Sequence, residues 1–584
     1  MPNQRKITQL NLEQQRRNHA LNRIFSFRLA LATVIFGVLA ALSLGARSPW
    51  LVGLLLVLGA AFAWLVRESR LIRKYLARVD ALQDFYERQM RRVQGQPPST
   101  PQPQLDKVAL AMDLDFFGEH SLLSQIDETL TESGRRRLAN HMLSPVLDEA
   151  AILNRQNQVR RLSQRAGFLR KLIVIGRADI EARPGLFDSG LLEAPFVDAG
   201  FNRRHLISWI LFAAFSASIA AAALAEAAIP VGAIWFAFFA HSMFAISKSG
   251  EVFTRIQGLG LHVERLAPIY RHLEKMAPIE RREFLPSLDK SPFSPFLTRI
   301  DRLTSLLSVQ THPLVVVLVN GAIPWSLFFA WRAEKLRQEL HKLWGPLTDE
   351  LHEFETLICL ALVFRYQTRT FPSFTKEMRL QLRGVRHPLI STDKAVANDF
   401  DLPTGKRLVL ITGSNMSGKS TFLRTVGLNQ TLALMGAPVF AAQMTTRLAR
   451  PLTCIRVSDS VRDGVSYFYA ETLRLKAILE QAGPATIYLI DEMFRGTNNR
   501  ERLAGSRAVA AALVATNSLG FITTHDLELT HLEETQPEVG NFHFADDLDA
   551  SGLKFSYKIH TGPCPTTNAL KIMKSLGLPV PSAQ

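Results

Sequence analysis

Eight consecutive residues, Gly413-Ser-Asn-Met-Ser-Gly418-Lys419-Ser420, fit the spacing GxxxxGK[ST]. Glycines at that spacing let backbone N–H groups converge on a string of phosphates, and a following helix adds the positive end of its dipole. Lys419 then reaches the β- and γ-phosphates, and Ser420 offers a hydroxyl to Mg2+. Further along, Asp491-Glu492 closes a short apolar run, 487–490 (IYLI). There Asp491 is placed toward Mg2+ and Glu492 polarises an attacking water. A third run ends in Thr524-His525, which makes His525 a γ-phosphate contact. The chemistry these residues predict is hydrolysis of ATP with Mg2+, with Lys419, Glu492 and His525 as its expected catalytic groups.

Such groups need a scaffold that brings distant segments to one edge. From about residue 376 the sequence supplies short β-branched runs, 407–412 (RLVLIT), 485–490 (ATIYLI) and 520–524 (GFITT), alternating with helical stretches such as 421–434. That alternation is the pattern of a parallel sheet with crossover helices, whose strands present ligands at their carboxyl ends.

The remaining composition narrows the class. A length of 584 residues predicts three or four domains, and 47% hydrophobic residues exclude a disordered chain. Cys359, Cys454 and Cys564 are far apart and lack metal-ligand spacing, which argues for reduced, buried thiols. The net charge of +16 is concentrated: residues 1–110 carry +10, residues 376–584 carry +4, and the middle carries +2.

That concentration follows hydrophobic spans. Residues 29–46 and 49–66 are uncharged runs of 18, and residues 206–225 and 227–246 are uncharged runs of 20. About 20 apolar residues cross a ~30 Å hydrocarbon core as a helix, so each pair reads as a transmembrane hairpin. Arg5, Lys6, Arg16, Arg17, Arg23 and Arg28 precede the first pair, and Arg67, Arg70, Arg73, Lys74 and Arg78 follow it. Arg203 and Arg204 lead into the second pair and Lys248 follows it, whereas the turns at 47–48 and 226 (the latter near Pro230) are almost bare. The positive-inside rule places both termini and the nucleotide site in the cytoplasm of a multi-pass inner-membrane protein. Residues 313–331 are also uncharged, but Asn320, Gly321 and Pro324 interrupt them, and a further span would move the nucleotide site outside. They read as a buried or membrane-surface helix.

The expected organisation is a basic N-terminus (1–28), a first hairpin (29–66), a charged helix with a Pro/Gln-rich linker (67–111, with QGQPPSTPQPQ at 94–104) and a helical region (112–203). A second hairpin (204–247), a further helical region (248–375) and the α/β nucleotide domain (376–584) complete it. The fold class is an α/β P-loop ATPase domain behind an all-α core, with four transmembrane helices in two hairpins.

The nucleotide segment resembles the MutS mismatch-repair ATPase family. Thr412-Gly-Ser-Asn-Met-Ser-Gly-Lys-Ser-Thr421-Phe-Leu-Arg is similar to its Walker A segment, usually TGPNMxGKST, with Ser414 in place of proline. Gly436-Ala-Pro-Val resembles its GxxVPA stretch, Asp459…Ser466-Tyr-Phe-Tyr-Ala-Glu471 its signature segment, and Asp491-Glu492…Gly496-Thr497-Asn498 its DExxxGT run. His387-Pro388-Leu389 and Asn398 match the segment before the first ATPase strand. Upstream, His120 to Arg135, Leu143-Ser-Pro145, Ile152 and Arg155-Gln156 are similar to the start of the family's helical core.

The resemblance implies that Gly413, Ser414, Asn415, Met416, Ser417, Gly418, Lys419, Ser420 and Thr421 hold the phosphates. It places Gln443 at the Q-loop, Ser420 and Asp491 on Mg2+, and His525 at the switch position. It also implies a homodimer through the ATPase domains, in which Ser466 of one subunit faces the γ-phosphate on the other and nucleotide gates helical levers. The family's mismatch-reading wedge has no counterpart here: Phe85-Tyr-Glu87 and Phe117-Gly-Glu119 fit its Phe-x-Glu triplet only as chance would. No DNA clamp is identified, and the chain stops soon after 568–579, short of the family's C-terminal pairing helices.

The expected function is a membrane-anchored MutS-like ATPase that binds mismatched or branched DNA. Arg160, Arg161, Arg165, Arg170 and Lys171 are a candidate patch for phosphates, or simply a solvated helix face. Two other readings are a membrane scaffold whose assembly with a non-DNA partner ATP controls, and a mechanoenzyme resembling ATP-binding-cassette transporters. The last lacks an LSGGQ-like signature, and His241 is the only ionisable residue in its four spans.

Overall fold

The structure is a computed structural model. It describes residues 2–44, 49–98, 108–180, 192, 194–198, 200–224, 231–246, 249–308, 312–366, 369–414, 416–456, 467–495, 497–549 and 552–565. The turn residues Arg47, Ser48, Glu226 and Pro230, with Lys248, most of the Pro/Gln-rich linker and residues 568–579, lie outside them. The chain divides into two compact units, one of residues 1–7, 84–169 and 355–584, the other of residues 8–83 and 170–354.

The first unit contains every strand among the described residues: β1 (Ser373–Thr375), β2 (Gln381–Val385), β3 (Asn398–Asp401), β4 (Leu408–Thr412), β5 (Gln443–Arg447), β6 (Arg450–Cys454), β7 (Thr486–Asp491), β8 (Leu519–Thr523), β9 (Val539–Asp549) and β10 (Gly552–Thr561). Six form one sheet in the order β10-β9-β4-β8-β7-β6, parallel except for the β9–β10 hairpin. The other four form a smaller sheet, β1-β5-β2-β3. β4 and β8 are buried throughout, as strands covered on both faces must be, and their near-continuous apolar runs are why they are legible in sequence. Between β7 and β8 the Tyr488 ring lies over Gly520, where an added Cβ would come within 1.8 Å of the ring.

Residues 84–169 are built into this unit. Fully buried Asp113 accepts hydrogen bonds from the N–H groups of Ile455 (3.0 Å) and Arg456 (2.9 Å) just beyond β6, and pairs with Arg474. Thr131 caps the Glu132–Leu143 helix by accepting from the Gly134 N–H at 2.9 Å. Its hydroxyl donates to Glu355 at 2.7 Å. Burial pushes the Glu355 carboxyl up to about 8, with Asp127 adding to the effect. The folded state therefore holds a proton that the unfolded chain releases near the ordinary carboxylate pKa. This group's stabilising contribution is complete below that value and is lost as pH rises to about 8. Glu355→Gln should flatten the loss: at pH 8.5 the variant should unfold at least ~4 °C above wild type, with little difference at pH 5. Thermal unfolding at the two pH values checks this, and parallel curves would refute it.

The second unit is helical. The Pro2–Ser43 and Pro49–Val93 helices pair through Gln14 Nε2 to Asp80 at 2.6 Å, Tyr75 to Glu13, and the Arg17 guanidinium 5.0 Å from the Tyr75 ring centroid. Three helices are long and apolar enough to cross a membrane, Gln4–Ser43, Pro49–Val93 and Phe201–Leu224. The fourth expected span differs: among the described residues of 227–246 the helix is Val231–Ile246, 16 residues long. Ser208 and His241 meet at 3.1 Å between the last two. Residues 313–331, read from sequence as one helix, are two, Pro313–Ala322 and the start of Trp325–Tyr366, bent by 85°. Ile323 and Pro324 separate them, at a residue whose missing N–H disfavours a continuous helix.

Candidate functional site

β4, β8 and β7 lie side by side and in parallel, so the residues at their carboxyl ends converge. Gly413, just after β4, has φ of 146°. A Cβ there would stand 2.8 Å from the Phe544 carbonyl oxygen and 2.9 Å from Ser417 Oγ. Gly418, at φ 113°, is the N-cap of the Lys419–Leu434 helix and gives it no side-chain cap. The first-turn amides of that helix are thereby left to an external acceptor, the arrangement that binds anions. Ser417 Oγ is buried without a hydrogen-bond partner among the described residues, and Lys419 Nζ donates to the carbonyls of Gly413 (2.7 Å) and Ser414 (2.8 Å).

Asp491 closes β7. Its Oδ2 accepts from Ser420 Oγ at 2.8 Å and its Oδ1 from Thr523 Oγ1 at 2.5 Å. The hydroxyl and carboxylate of Ser420 and Asp491 are hard oxygen donors, and they fit Mg2+ bound jointly with phosphate oxygens. The neighbouring Glu492 has φ of 54°, a conformation costing about 1–3 kcal/mol in a non-glycine residue. Its N–H donates to the Thr523 carbonyl (3.1 Å), and its carboxylate lies between Arg495 Nε (3.2 Å) and His525 Nδ1 (3.4 Å). Arg495 also reaches Asp491 at 3.2 Å, so one guanidinium braces both carboxylates. Glu471 accepts the Phe494 N–H at 2.8 Å, tying the Tyr467–Gln481 helix to the loop that carries Arg495. Burial raises the pKa of Glu471.

Beside the loop is a cavity of about 330 Å³ lined by His387, Val396, Thr421, Phe544 and Tyr557 among others. Tyr557 sits in a bulge of β10 at φ 53°. Asn398 fixes it there by donating to the Tyr557 carbonyl and accepting the Ile559 N–H, both at 2.9 Å. A Cβ on Gly418 would lie 3.3 Å from the Tyr557 ring. Burial, with the charge of Arg424, pushes the pKa of His387 down to about 4, so the imidazole is neutral near pH 7. Its Nδ1 accepts the Leu389 N–H at 3.2 Å.

Gly413, Ser414, Ser417, Gly418, Lys419, Ser420, Asp491, Glu492 and His525 are thus brought to one edge. Met416 adopts φ 73° with its side chain 83% exposed, and Thr421 faces the cavity instead. Gln443 begins β5 in the smaller sheet, in register with Arg383. Asn415 and Ser466, with Asp459 and Gly496, lie outside the described residues. Sequence reasoning missed Arg495 and Tyr557. Arg495 lies only three residues after Glu492, within helical reach of the carboxylates. A turn-forming Asp549-Ala-Ser-Gly552 between alternating Phe542/Phe544 and Phe555/Tyr557 signals the hairpin that carries Tyr557.

Residues 409–583 match the family model MutS domain V. The match supports membership of the MutS family, whose members are ATP-dependent and generally act as dimers that bind DNA. It covers the segment holding the glycine-rich loop, both carboxylates and Tyr557.

Proposed function

We propose that the protein is a membrane-anchored MutS-like ATPase that closes as a dimer on ATP to move helical levers, and that it binds mismatched or branched DNA. The observation that carries this reading is the meeting of Lys419 and Ser420, Asp491 and Glu492, and His525 at three adjacent strand ends. The loop amides and Lys419 hold the phosphates. Bound Mg2+ supplies positive charge to the phosphate oxygens, with Ser420 and Asp491 as its protein ligands. Glu492, held by Arg495 and His525, takes the proton of the water whose oxygen attacks the γ-phosphorus as the bond to ADP breaks. The cavity beside the loop takes the adenine, with Tyr557 stacking on it. Stacking of a base on an aromatic ring is worth about 1–3 kcal/mol, so Tyr557→Ala should weaken ATP binding roughly 5- to 150-fold. Titration with a fluorescent ATP analogue measures it, and unchanged affinity would remove the base from this cavity.

Membrane anchoring rests on an inverted distribution of polarity. Trp50, Leu56, Val57 and Trp64 are exposed, as are Leu206, Ile210 and Phe236, whereas Ser208 and Ser242 are fully buried and hydrogen-bonded. In water each exposed side chain of this size forgoes about 1.5–3 kcal/mol of burial; in lipid none does. Four spans in two hairpins put both termini and the ATPase unit in the cytoplasm, at the inner membrane. The near balance of charge in residues 376–584, +4, favours a second reading, an ATP-controlled scaffold for a non-DNA partner. Binding of homoduplex, mismatched duplex and four-way junction to the detergent-solubilised Glu492→Gln protein with ATP, at one fixed salt concentration, separates the two. Submicromolar preference for a mismatch or junction supports the DNA reading. Weak, equal binding to all three turns it to a protein load.

A further inference from the structure

We propose that residues 313–331 form a half-span membrane segment. The Pro313–Ala322 helix enters lipid alongside the Val231–Ile246 helix, and the chain leaves on the side from which it entered, with phospholipid acyl chains as its ligand. The proposal rests on the reading that the second hairpin spans the bilayer.

Length is the first argument. Ten helical residues rise about 15 Å, half of a ~30 Å hydrocarbon core. The 85° bend that follows turns the chain aside, where a broken span would carry on through. Only seven uncharged residues, 325–331, then precede Arg332, Glu334, Lys335 and Arg337.

Contacts fix the depth and direction. Ser242 Oγ donates to the Val317 carbonyl at 2.9 Å, and the Phe238 ring packs on Gly321, where a Cβ would stand 2.3 Å from it. The two helices therefore run antiparallel, and the chain from 313 to 322 moves from the Ile246 end of its neighbour toward its middle. Beyond the bend the chain comes back: Trp331 stacks on His205, 5.6 Å between centroids, and Phe328 meets Trp209 at 6.3 Å. His205 and Trp209 belong to the first turns of the Phe201–Leu224 helix, beside the Ile246 end of its partner. Lys335 Nζ sits 3.9 Å from the Trp331 centroid, an aromatic and cationic pairing suited to a headgroup layer.

Polarity supplies the last argument. Asn320 and Ser326 are fully buried, while Val315, Leu318 and Ile323 are exposed, the reverse of a helix lying in water. Asn320 donates to the Val316 carbonyl and accepts the Ser326 N–H, both at 2.8 Å. The amide thus satisfies a backbone group freed by the bend, which lipid would otherwise leave unmet.

The test uses the full-length protein carrying Cys564→Ser, in which Cys359 and Cys454 remain buried. Single cysteines replace Leu318, Leu211 (in the hairpin) and Ile279 (80% exposed) and carry an environment-sensitive fluorophore in vesicles containing brominated phospholipid. Emission from 318 should be blue-shifted and quenched as at 211, with neither effect at 279. In a second arm, His312→Cys and Lys335→Cys should both react with an impermeant maleimide from the side that labels a cysteine at Arg5. Labelling of 312 and 335 from opposite sides would make the segment a full span and overturn the proposal. A water-like signal at 318 beside a lipid-like one at 211 would overturn it in favour of a surface helix. Water-like signals at both would remove the membrane reading itself, and this proposal with it.

Discussion

Lys419→Ala should abolish ATP binding at millimolar nucleotide and reduce turnover at least ~100-fold. The ammonium is buried and donates to the Gly413 and Ser414 carbonyls at 2.7 and 2.8 Å, which holds the loop around the position phosphates require. Charge-assisted hydrogen bonds to phosphate in a desolvated site are about twice as strong as neutral ones, and losing a preorganised donor costs about 2.7–4 kcal/mol in comparable sites. Alanine removes both the charge and the brace on the loop. Equilibrium binding and phosphate release, each compared with wild type in one detergent, provide the measurement. Undiminished hydrolysis in a clean preparation would end the assignment of this loop to phosphate.

Glu492→Gln separates binding from chemistry. The side chain keeps its size and can still accept one hydrogen bond, from Arg495 or His525, but an amide cannot take a proton from water. General bases contribute about 10²–10⁴ in rate, so turnover should fall by that factor while ATP affinity stays within a few-fold of wild type. Because ATP then persists, the protein should accumulate as a dimer. Light scattering with and without ATP reads the mass, and a monomer under saturating ATP would count against a site shared between subunits. The strained φ of Glu492 makes the backbone there sensitive, so Glu492→Asp, which keeps the charge and shortens the reach, is the useful companion. Partial activity in that variant would assign the loss to proton transfer; inactivity in both would assign it to placement.

Legibility in the sequence followed burial. β4, β7 and β8 are covered on both faces, and their apolar runs locate Gly413, Asp491 and the Thr524-His525 pair to within a residue of the observed strands. β2, β3 and β5 alternate or are polar, and β5 pairs with β1 and β2 across wide gaps in sequence, so the smaller sheet carrying Gln443 leaves little local signature. Tyr557 escapes notice for a similar reason: its role depends on a bulge and on Asn398, 159 residues earlier. The apolar spans were conspicuous, but run length alone did not reveal that 313–331 bends, since the bend needs Asn320 to satisfy what Pro324 and its neighbours release.

The bond from Asp113 to the Ile455 amide joins residues 342 positions apart, and it has a bearing on how the protein is made. Residues 84–169 leave the ribosome well before any strand of the sheet they help to build. At about 5–20 residues per second, the intervening segment 170–354 alone takes roughly 10–40 s to synthesise, and it contains the second pair of apolar helices. The early segment must wait, with Asp113 and its helices uncommitted, while that segment is made. Closing so long a loop adds little entropy cost, since that cost grows only with the logarithm of length. The unit that carries the sheet therefore cannot close until the chain between its two halves has been made.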